Sequence, residues 1–244
     1  MRGQQCEWCV GGGEEQRGLP RSHRRETLAG LVEEGAAQLG IELAGSARDK
    51  LALYGVLLEE AGRRAGFHPP EDARALVGKH LLDGATCTLA AEFPGGVSVV
   101  DVGSGVGVPG LVVAICRPEA EVVLAEPRGR RAGFLRWAVW RLELENVRVV
   151  RERAEQMRQA GARFERVLCR ALAPYPVAVR MCLPLVTPGG EFVAMLGPRG
   201  EQEVAAAGEE LGKAGGAVRR VVRLRLPWGM GERVLAVVTR GEEE

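Results

Sequence analysis

The sequence predicts an α/β fold: a doubly wound, mostly parallel sheet of seven strands, preceded by an N-terminal helical extension. From about residue 94 onward, short apolar runs alternate with helical segments, which is the pattern of parallel strands covered by helices on both faces. Before that point the apolar residues recur only at helical spacing. With 244 residues, 46% of them hydrophobic, the chain is long enough for one large domain with an appendage.

The composition excludes several classes of protein. Charged residues make up 27% of the chain and the net charge is +1, which does not fit collagen-like, coiled-coil or wholly disordered chains. No apolar run approaches the roughly 18 residues of a membrane-spanning helix, and the first residues lack the apolar stretch of a secretory signal. We expect a cytoplasmic monomer with no membrane partner.

The cysteines do not form a metal-binding pattern. Of six cysteines, only Cys6 and Cys9 are spaced as a CxxC pair. A structural zinc site needs four ligands, and no second pair or histidine pair completes one, so we expect no metal. We expect the cysteines to be reduced and mostly buried.

Three helices are predicted in an N-terminal helical segment at residues 25–93, which follows a loose tail at residues 1–24. The tail is rich in glycine and shows no apolar periodicity. Apolar residues at three- and four-residue spacing place the helices at about 26–39, 47–64 and 71–89. The break His68-Pro69-Pro70 separates the last two.

Seven strands are predicted in residues 94–240, which we interpret as the main domain. The apolar runs place them at 97–101, 121–126, 147–151, 166–169, 192–196, 219–226 and 233–239. Because only a short turn separates the last two strands, we expect them to pair antiparallel and to close the sheet.

A glycine-rich loop follows the first strand, where parallel sheets hold their ligands. It starts at Asp101 and carries Gly103, Gly105 and Gly107 in a GxGxG spacing, followed by Val108. Valine at 108 breaks the GxGxxG spacing of a dinucleotide-binding loop, and no GK[ST] follows as in a P-loop. The glycines nevertheless allow a ligand to approach the backbone closely.

A second acid, Glu126, ends the next strand, where a carboxylate can accept hydrogen bonds from both hydroxyls of a ribose. After the third strand, Ala154 and Glu155 offer a small residue and an acid that suit an adenine edge. These features meet Asp101 in one crevice if the sheet is doubly wound. The arrangement is typical of Rossmann-like class I S-adenosylmethionine-dependent methyltransferases, so we expect S-adenosyl-L-methionine as cofactor. The alternatives are a plain strand–helix connector and a nicotinamide-dinucleotide site.

A series of motifs extends this interpretation along the chain. In order they are His80-Leu81-Leu82-Asp83, Asp101-Val102-Gly103-Ser104-Gly105 with Val108-Pro109-Gly110, Arg117-Pro118-Glu119, Glu126 with Arg130-Arg131 and Phe134-Leu135, Leu144-Glu145-Asn146-Val147, Arg153-Ala154-Glu155, Cys169-Arg170-Ala171 and Gly197-Pro198-Arg199. In this order and spacing they resemble the bacterial small-subunit ribosomal RNA methyltransferase G family, also called the glucose-inhibited division protein B family, over about residues 26–240.

The resemblance implies methyl transfer from S-adenosylmethionine to N7 of one guanine in the decoding-region loop of 16S rRNA, with the 30S subunit as partner. It implies that five residues hold the cofactor: Gly103, Val108, Ala154, Glu155 and Arg170. It gives the ribose position to Glu126. Asp101 and Gly105 of the loop complete the expected cofactor site.

Two positions depart from the family pattern. The asparagine expected near the end of the second helix is absent, with Gly66 in that region, and Leu196 stands where the family has a lysine. Both positions are expected to face the substrate. The departures therefore concern RNA affinity or turnover more than cofactor binding.

Methylation at guanine N7 needs no general base, because N7 has a lone pair and no proton. Arg170 and Arg199 are the candidate catalytic residues, which would hold the base in line with the methyl group. For Arg170, an ion pair within the domain is an equal alternative. We expect His80 and Asp83 to tie the N-terminal helices to the cofactor site, with His80 as a packed, hydrogen-bonded residue rather than a catalyst.

A row of arginines without intervening acids is a candidate for phosphate contacts: Arg128, Arg130, Arg131, Arg136 and Arg141. Helical spacing brings Arg130, Arg131 and Arg141 toward a common flank, and a solvated helix face is the alternative.

Three of the tryptophans, Trp137, Trp140 and Trp228, are expected in the core or covering the sheet. Two other functions remain open at this point. One is a small-molecule methyltransferase on the same scaffold, and the other is a catalytically weakened RNA-binding homologue.

Overall fold

The computed structural model describes residues 21–241, which form one seven-stranded sheet with helices on both faces. The strands are β1 (Ser98–Val102), β2 (Glu121–Ala125), β3 (Val147–Val150), β4 (Phe164–Arg170), β5 (Val186–Leu196), β6 (Gly216–Arg225) and β7 (Glu232–Arg240). The α-helices are α1 (Arg21–Leu39), α2 (Gly45–Ala61), α3 (Ala73–Leu76), α4 (Leu82–Ala85), α5 (Cys87–Ala90), α6 (Gly110–Cys116), α7 (Gly129–Arg141), α8 (Ala154–Gln159), α9 (Tyr175–Cys182), α10 (Gly200–Ala206) and α11 (Gly208–Lys213).

The strands lie in the order β3-β2-β1-β4-β5-β7-β6. Strands β1 to β5 pair in parallel with one another, and β7 runs antiparallel between β5 and β6. This confirms the predicted doubly wound sheet and the antiparallel pairing of the last two strands. The order reverses between β1 and β4, and the carboxyl ends of strands at such a reversal are where these sheets bind ligands.

The sheet separates two apolar layers, because successive side chains of a strand point to opposite faces. In β1, Val99 packs in the layer that contains Leu111 of α6, and Val100 packs in the layer that contains Val179 of α9. Burial on both faces explains why the strands read as continuous apolar runs in the sequence.

The N-terminal helices share the first of these layers. Leu57 of α2 belongs to the same buried cluster as Leu111 of α6, and the Tyr54 hydroxyl donates a hydrogen bond to the Val106 carbonyl in the glycine loop. A Cβ on Gly84 of α4 would lie 3.0 Å from Val108 Cγ1. The helical segment therefore shares its core with the main domain and supports the glycine loop directly.

Helix α1 begins earlier than predicted, at Arg21, so residues 21–24 are helical and do not belong to a loose tail. Arg21 pairs with Glu60, and Arg24 pairs with Glu59, both on α2. These ion pairs extend the contact between the two helices toward the start of α1. Residues 1–20 and 242–244, with Cys6 and Cys9, lie outside the described residues.

The second and third predicted helices are also divided. The second continues past α2 as a 3₁₀ turn, Gly62–Ala65. The third, predicted at 71–89, consists of α3, a π-helical turn at Val77–Leu81, α4 and α5. The wider π turn changes the direction of the residues that follow it, among them Asp83 of α4.

The four described cysteines, Cys87, Cys116, Cys169 and Cys182, are buried and free, which confirms the prediction for them. Burial raises the pKa of Cys116 to about 12.

Across residues 21–241, no helix combines the length and apolar character needed to cross a bilayer. Within the same residues, no three His, Cys, Asp or Glu side chains gather as metal ligands.

Candidate functional site

The glycine loop between β1 and α6 is held by the last acid of β1. Asp101 Oδ2 accepts a hydrogen bond from the Gly110 backbone N–H at 3.0 Å. The space is tight, because a Cβ on Gly110 would lie 2.4 Å from the Asp101 Cβ and 2.6 Å from Leu124 Cδ2. Gly103 and Gly105 have φ of +72° and +60°, a conformation that costs other residues free energy. The backbone conformation and tight packing of the loop therefore require glycine at these three positions.

Asp101 is buried, with 1% of its surface exposed. Burial raises its pKa from 3.8 to about 7, against the lowering effect of the hydrogen bond from Gly110. Among the described residues its Oδ1 atom has no hydrogen-bond partner. A buried acceptor of this kind is stabilised by a ligand that brings a donor or a positive charge.

Glu126, which follows β2, is joined to the same loop. Its Oε2 accepts from the Gly105 N–H at 3.0 Å, and its Oε1 accepts from the Arg128 N–H at 2.8 Å. An ionised carboxylate has about four acceptor sites, so each oxygen of Glu126 can still accept a hydroxyl. The structure thus brings Asp101, Gly105 and Glu126 together at the carboxyl ends of β1 and β2.

The other predicted cofactor residues lie around this loop. Val108 is buried and faces Gly84 of α4. Ala154, at the start of α8, is buried in the same cluster as Val102 and Ala125. Glu155 is exposed at the same helix start.

Arg170, at the end of β4, takes part in a buried ion cluster. Its Nη1 donates to Asp83 Oδ2 at 2.8 Å and to the Lys79 carbonyl at 3.3 Å. Asp83 is fully buried and also accepts two hydrogen bonds from Arg233 of β7. The ion-pair alternative for Arg170 is therefore present in the structure, and so is the predicted tie between Asp83 and the site.

A cleft of about 420 Å³ opens beside this ion cluster. Its lining comprises Lys79, Arg170, Ala171, Ala173, Met195, Leu196, Gly197, Glu203 and Arg233. Leu172, which lies between the lining residues Ala171 and Ala173 in the chain, borders the glycine loop, because a Cβ on Gly103 would lie 2.6 Å from Leu172 Cδ1. Ala171 has a φ of +49°, a strained conformation for alanine that is common at functional sites.

Three further positions singled out in the sequence have different surroundings. Arg199 is exposed before α10 and is not part of the cleft lining. Leu196, the position of the lysine in the family pattern, lines the cleft, and its carbonyl lies 3.4 Å from Arg233 Nη1. Gly66 adopts a φ of +79°, and a Cβ there would lie 4.0 Å from Arg131 Nη2.

His80 lies in the π-helical turn next to this region. Its ring meets the Phe67 ring edge-on at 4.9 Å, and its Nδ1 has no hydrogen-bond partner among the described residues. Burial, with a contribution from Arg170, lowers the pKa of His80 to about 4. The contact with Phe67 fits the predicted packing of His80, whereas Nδ1 does not make the predicted hydrogen bond.

The sequence reasoning missed Lys79, Glu203 and Arg233. Arg233 begins an apolar strand, and nothing in its local sequence indicates a buried acid 150 residues away. Lys79 stands beside the singled-out His80, which was the only signal available for it. Glu203 lies in α10, a helix that the spacing of apolar residues did not predict.

The predicted arginine row follows α7, but its members have different surroundings. Arg131 Nε donates to the Ala65 carbonyl at 3.4 Å, and the Arg141 guanidinium lies 5.6 Å from the Trp137 ring centroid. Arg130 and Arg136 are exposed.

Trp137 is buried as expected, whereas the prediction for Trp140 is wrong, since 67% of its surface is exposed. It points away from the sheet on the outer side of α7.

Comparison with known proteins matches most of the chain to one family. A family model described as rRNA small subunit methyltransferase G matches residues 47–227. A relative named ribosomal RNA small subunit methyltransferase G, from Pelotomaculum thermopropionicum, is 34% identical over 216 residues, covering 87% of this chain and 90% of that one. A relative of the same name from Salinispora arenicola is 44% identical, covering 73% and 76%.

Solved structures agree at the level of the fold. A methyltransferase from Pyrococcus furiosus superposes with a TM-score of 0.54 and 17% identity, covering 81% of this chain and all of that one. Fibrillarin from Aeropyrum pernix, solved with bound S-adenosyl-L-methionine, superposes with a TM-score of 0.50 and 15% identity, covering 65% and 74%. The architecture is therefore that of class I methyltransferases.

Proposed function

Because the chain belongs to the rRNA small subunit methyltransferase G family, we propose that it transfers a methyl group from S-adenosyl-L-methionine to N7 of a guanine in the decoding-region loop of 16S rRNA. The observation that carries this proposal is the convergence of Asp101 and Glu126 on one glycine turn beside the cleft that contains Arg170. The protein is an enzyme of the S-adenosylmethionine-dependent class.

The residues at the glycine turn fit this cofactor. Asp101 keeps a buried oxygen without a partner, and Glu126 keeps free acceptor sites for the two ribose hydroxyls. Gly103 has no side chain, and a Cβ there would lie 2.6 Å from Leu172 Cδ1. Ala154 and Glu155 would lie at the adenine. When bound, the cofactor supplies a methyl group activated by its positive sulfur.

The chemistry asks the protein for alignment. The N7 lone pair forms the new nitrogen–carbon bond while the carbon–sulfur bond breaks and its electron pair goes to sulfur. No proton leaves N7, so no general base is required. Residues that align the base can therefore supply much of the rate enhancement. Arg170, oriented by Asp83, and the exposed Arg199 are the candidates for this role.

The substrate is 16S rRNA, as free RNA or within the 30S subunit. Arg63, Arg128 and Arg130 are exposed, and the Arg128 backbone N–H bonds Glu126. Exposed arginines of this kind can contact phosphates. We place the enzyme in the cytoplasm, where its substrate is, acting as a monomer.

A catalytically weakened RNA-binding homologue is the second candidate, motivated by Gly66 and Leu196. Against it, Lys79, Arg170 and Arg233 still provide cations around the cleft that Leu196 lines. A small-molecule methyltransferase on the same scaffold has no specific observation in its favour.

The test is transfer of tritium from labelled cofactor to 30S subunits and to naked 16S rRNA prepared from cells that lack this gene. Mass spectrometry of the product locates the methyl group, which we expect at guanine N7. Folded protein that binds the cofactor but labels neither RNA substrate would contradict the proposed function and support the weakened homologue.

A further inference from the structure

The cleft next to Arg170 contains a carboxylate that the methyl-transfer chemistry itself does not use. Glu203, on α10, lines the cleft together with Lys79, Arg170 and Arg233. Although it shares the cleft with three cationic side chains, its own side chain makes no hydrogen bond or ion pair within residues 21–241. Glu201 on the same helix, by contrast, is paired with Arg223 at 2.7 Å.

The cationic side of the cleft is fixed in place. Asp83 binds both guanidiniums, at 2.8 Å from Arg170 Nη1 and at 2.6 Å from Arg233 Nε. Each guanidinium carries five N–H donors, so both keep donors for a ligand. The cleft therefore offers hydrogen-bond donors on one side and the carboxylate of Glu203, an acceptor only, on another.

This arrangement matches the edges of a guanine. Guanine carries the acceptor O6 beside N7, whose lone pair stays free for the methyl group, and donates from N1–H and N2–H on the adjacent edge. The arginine donors match O6, and the carboxylate of Glu203 matches N1–H and N2–H. Adenine has an amino donor in place of O6 and an acceptor at N1, so it would place acceptor against acceptor at a carboxylate. We propose, resting on the function proposed above, that the target guanine enters this cleft and that Glu203 reads its N1–H and N2–H.

The size and the walls of the cleft suit a base taken out of its stack. A volume of about 420 Å³ lies in the range of small-molecule sites. Met195 and Leu196 give the cleft apolar walls, and enzymes that act on extruded bases pack them between such side chains and read the Watson–Crick edge by hydrogen bonds. The neighbouring Leu172 borders Gly103, so a base held here lies next to the cofactor crevice.

Glu203 would also act on the rate. Methylation at N7 leaves a positive charge on the guanine ring, which makes N1–H and N2–H stronger donors. Their hydrogen bonds to a carboxylate therefore strengthen as the methyl group is transferred, and an interaction that strengthens in the transition state raises kcat. Glu203 is thus proposed as a specificity-determining residue that touches the substrate base.

The experiment compares Glu203→Gln with Glu201→Gln, a matched change on the same helix outside the cleft. The substrates are 30S subunits reconstituted with 16S rRNA that carries guanosine or inosine at the methylated position, since inosine lacks only the N2 amino group. For Glu203→Gln we expect kcat/KM on guanosine to fall roughly five- to 150-fold, mainly through kcat. The wild-type preference for guanosine over inosine should shrink toward one.

Glu201→Gln should keep both the wild-type rate and the wild-type preference, and Glu203→Asp should keep the preference because it keeps the carboxylate. Cofactor affinity, measured by calorimetry, and the urea midpoint should be unchanged in all three variants. If Glu203→Gln keeps the wild-type rate or the full preference for guanosine, the role of Glu203 is overturned while the proposed function stands. If the wild type methylates neither substrate, the proposed function itself fails.

Discussion

The carboxylate of Asp83 binds the guanidinium of Arg233 at two points, with Oδ1 2.6 Å from Nε and Oδ2 2.8 Å from Nη2. Asp83 lies on α4 and Arg233 on β7, 150 residues apart, so this pair ties the N-terminal helices to the last strand. Oδ2 also accepts from Arg170 at the end of β4. Since bidentate arginine–carboxylate pairs have a fixed geometry, Asp83 sets the positions of two guanidiniums at the cleft.

Replacing Asp83 with asparagine should destabilise the fold. The amide would turn a donor toward one of the guanidiniums, and removing one partner of a buried pair typically costs about 3–5 kcal/mol. We expect about 3 kcal/mol, the lower end of that range, because the two arginine side chains keep 22% and 21% of their surface exposed. Urea unfolding measures this loss in the free energy of unfolding. The control is Asp49→Asn, which changes an exposed pair with Arg48 and should cost less than about 1 kcal/mol. Equal losses of stability in the two variants would show that the buried pair stabilises the fold no more than the exposed one.

Gly110→Ala should destabilise the protein, because the new Cβ would lie 2.4 Å from the Asp101 Cβ and 2.6 Å from Leu124 Cδ2. Overpacking of this kind costs about 1–3 kcal/mol. Gly30→Ala on α1 is a matched control, since nothing lies within 4 Å of its Cβ position. At this exposed position of α1, alanine should stabilise by about 0.5–1 kcal/mol. Thermal or urea unfolding gives both values, and a stable Gly110→Ala protein would refute the tight fit at the loop.

Gly103→Ala should weaken cofactor binding at least tenfold. Its φ of +72° strains any other residue, and its Cβ would lie 2.6 Å from Leu172 Cδ1, at the mouth of the proposed crevice. Gly96→Ala has a similar φ, +77°, with nothing within 4 Å, so it reproduces the backbone strain far from the crevice. Calorimetric titration with S-adenosylmethionine should separate the two. Equal affinities would place the cofactor elsewhere.

The pH dependence of stability should report Asp101. Its pKa is 3.8 when exposed and about 7 in the fold, because burial disfavours the charged carboxylate. Between these values the folded protein holds more protons than the unfolded chain, so the contribution of Asp101 to stability falls as pH rises from about 4 to 7 and then levels off. Asp101→Asn removes this contribution and keeps an oxygen for the Gly110 N–H.

The stability of Asp101→Asn relative to wild type should therefore increase between pH 4 and 7, as urea unfolding at several pH values can measure. His80 contributes in the opposite direction. Its pKa is lowered from 6.5 to about 4, so its effect reduces stability as pH falls through that range. That effect is present in both proteins and cancels in the difference. A difference that does not change with pH would mean that Asp101 is not buried as a charged group.

Much of the fold could be predicted because it depends on local spacing. Apolar runs such as 97–101 and 121–126 located the strands, and the short connection before the last strand predicted its antiparallel pairing. The helix boundaries were less predictable. Tertiary ion pairs to α2 extend α1 back to Arg21, and a π turn divides the third predicted helix; neither effect leaves a periodic signal.

The proximity of the proposed cofactor residues could be predicted for a similar reason. In a parallel sheet, the ends of successive strands meet at one edge, so Asp101 and Glu126 had to lie close together once their strands were assigned. The cleft was different, because its lining comes from the π turn, from the ends of β4 and β5, from α10 and from β7. Such a set has no common spacing in the sequence.

The sequence by itself determined the α/β class, the strand positions and the crevice at the glycine turn, because each follows from the period and order of neighbouring residues. Only the tertiary structure decided which charges meet. Asp83 binds Arg233 and Arg170, and Glu203 in the same cleft has no partner among residues 21–241. The physical reason is that strand order and helix packing bring these side chains together. Ionic partners that are distant in the chain leave no periodic pattern in the sequence from which their pairing could be predicted.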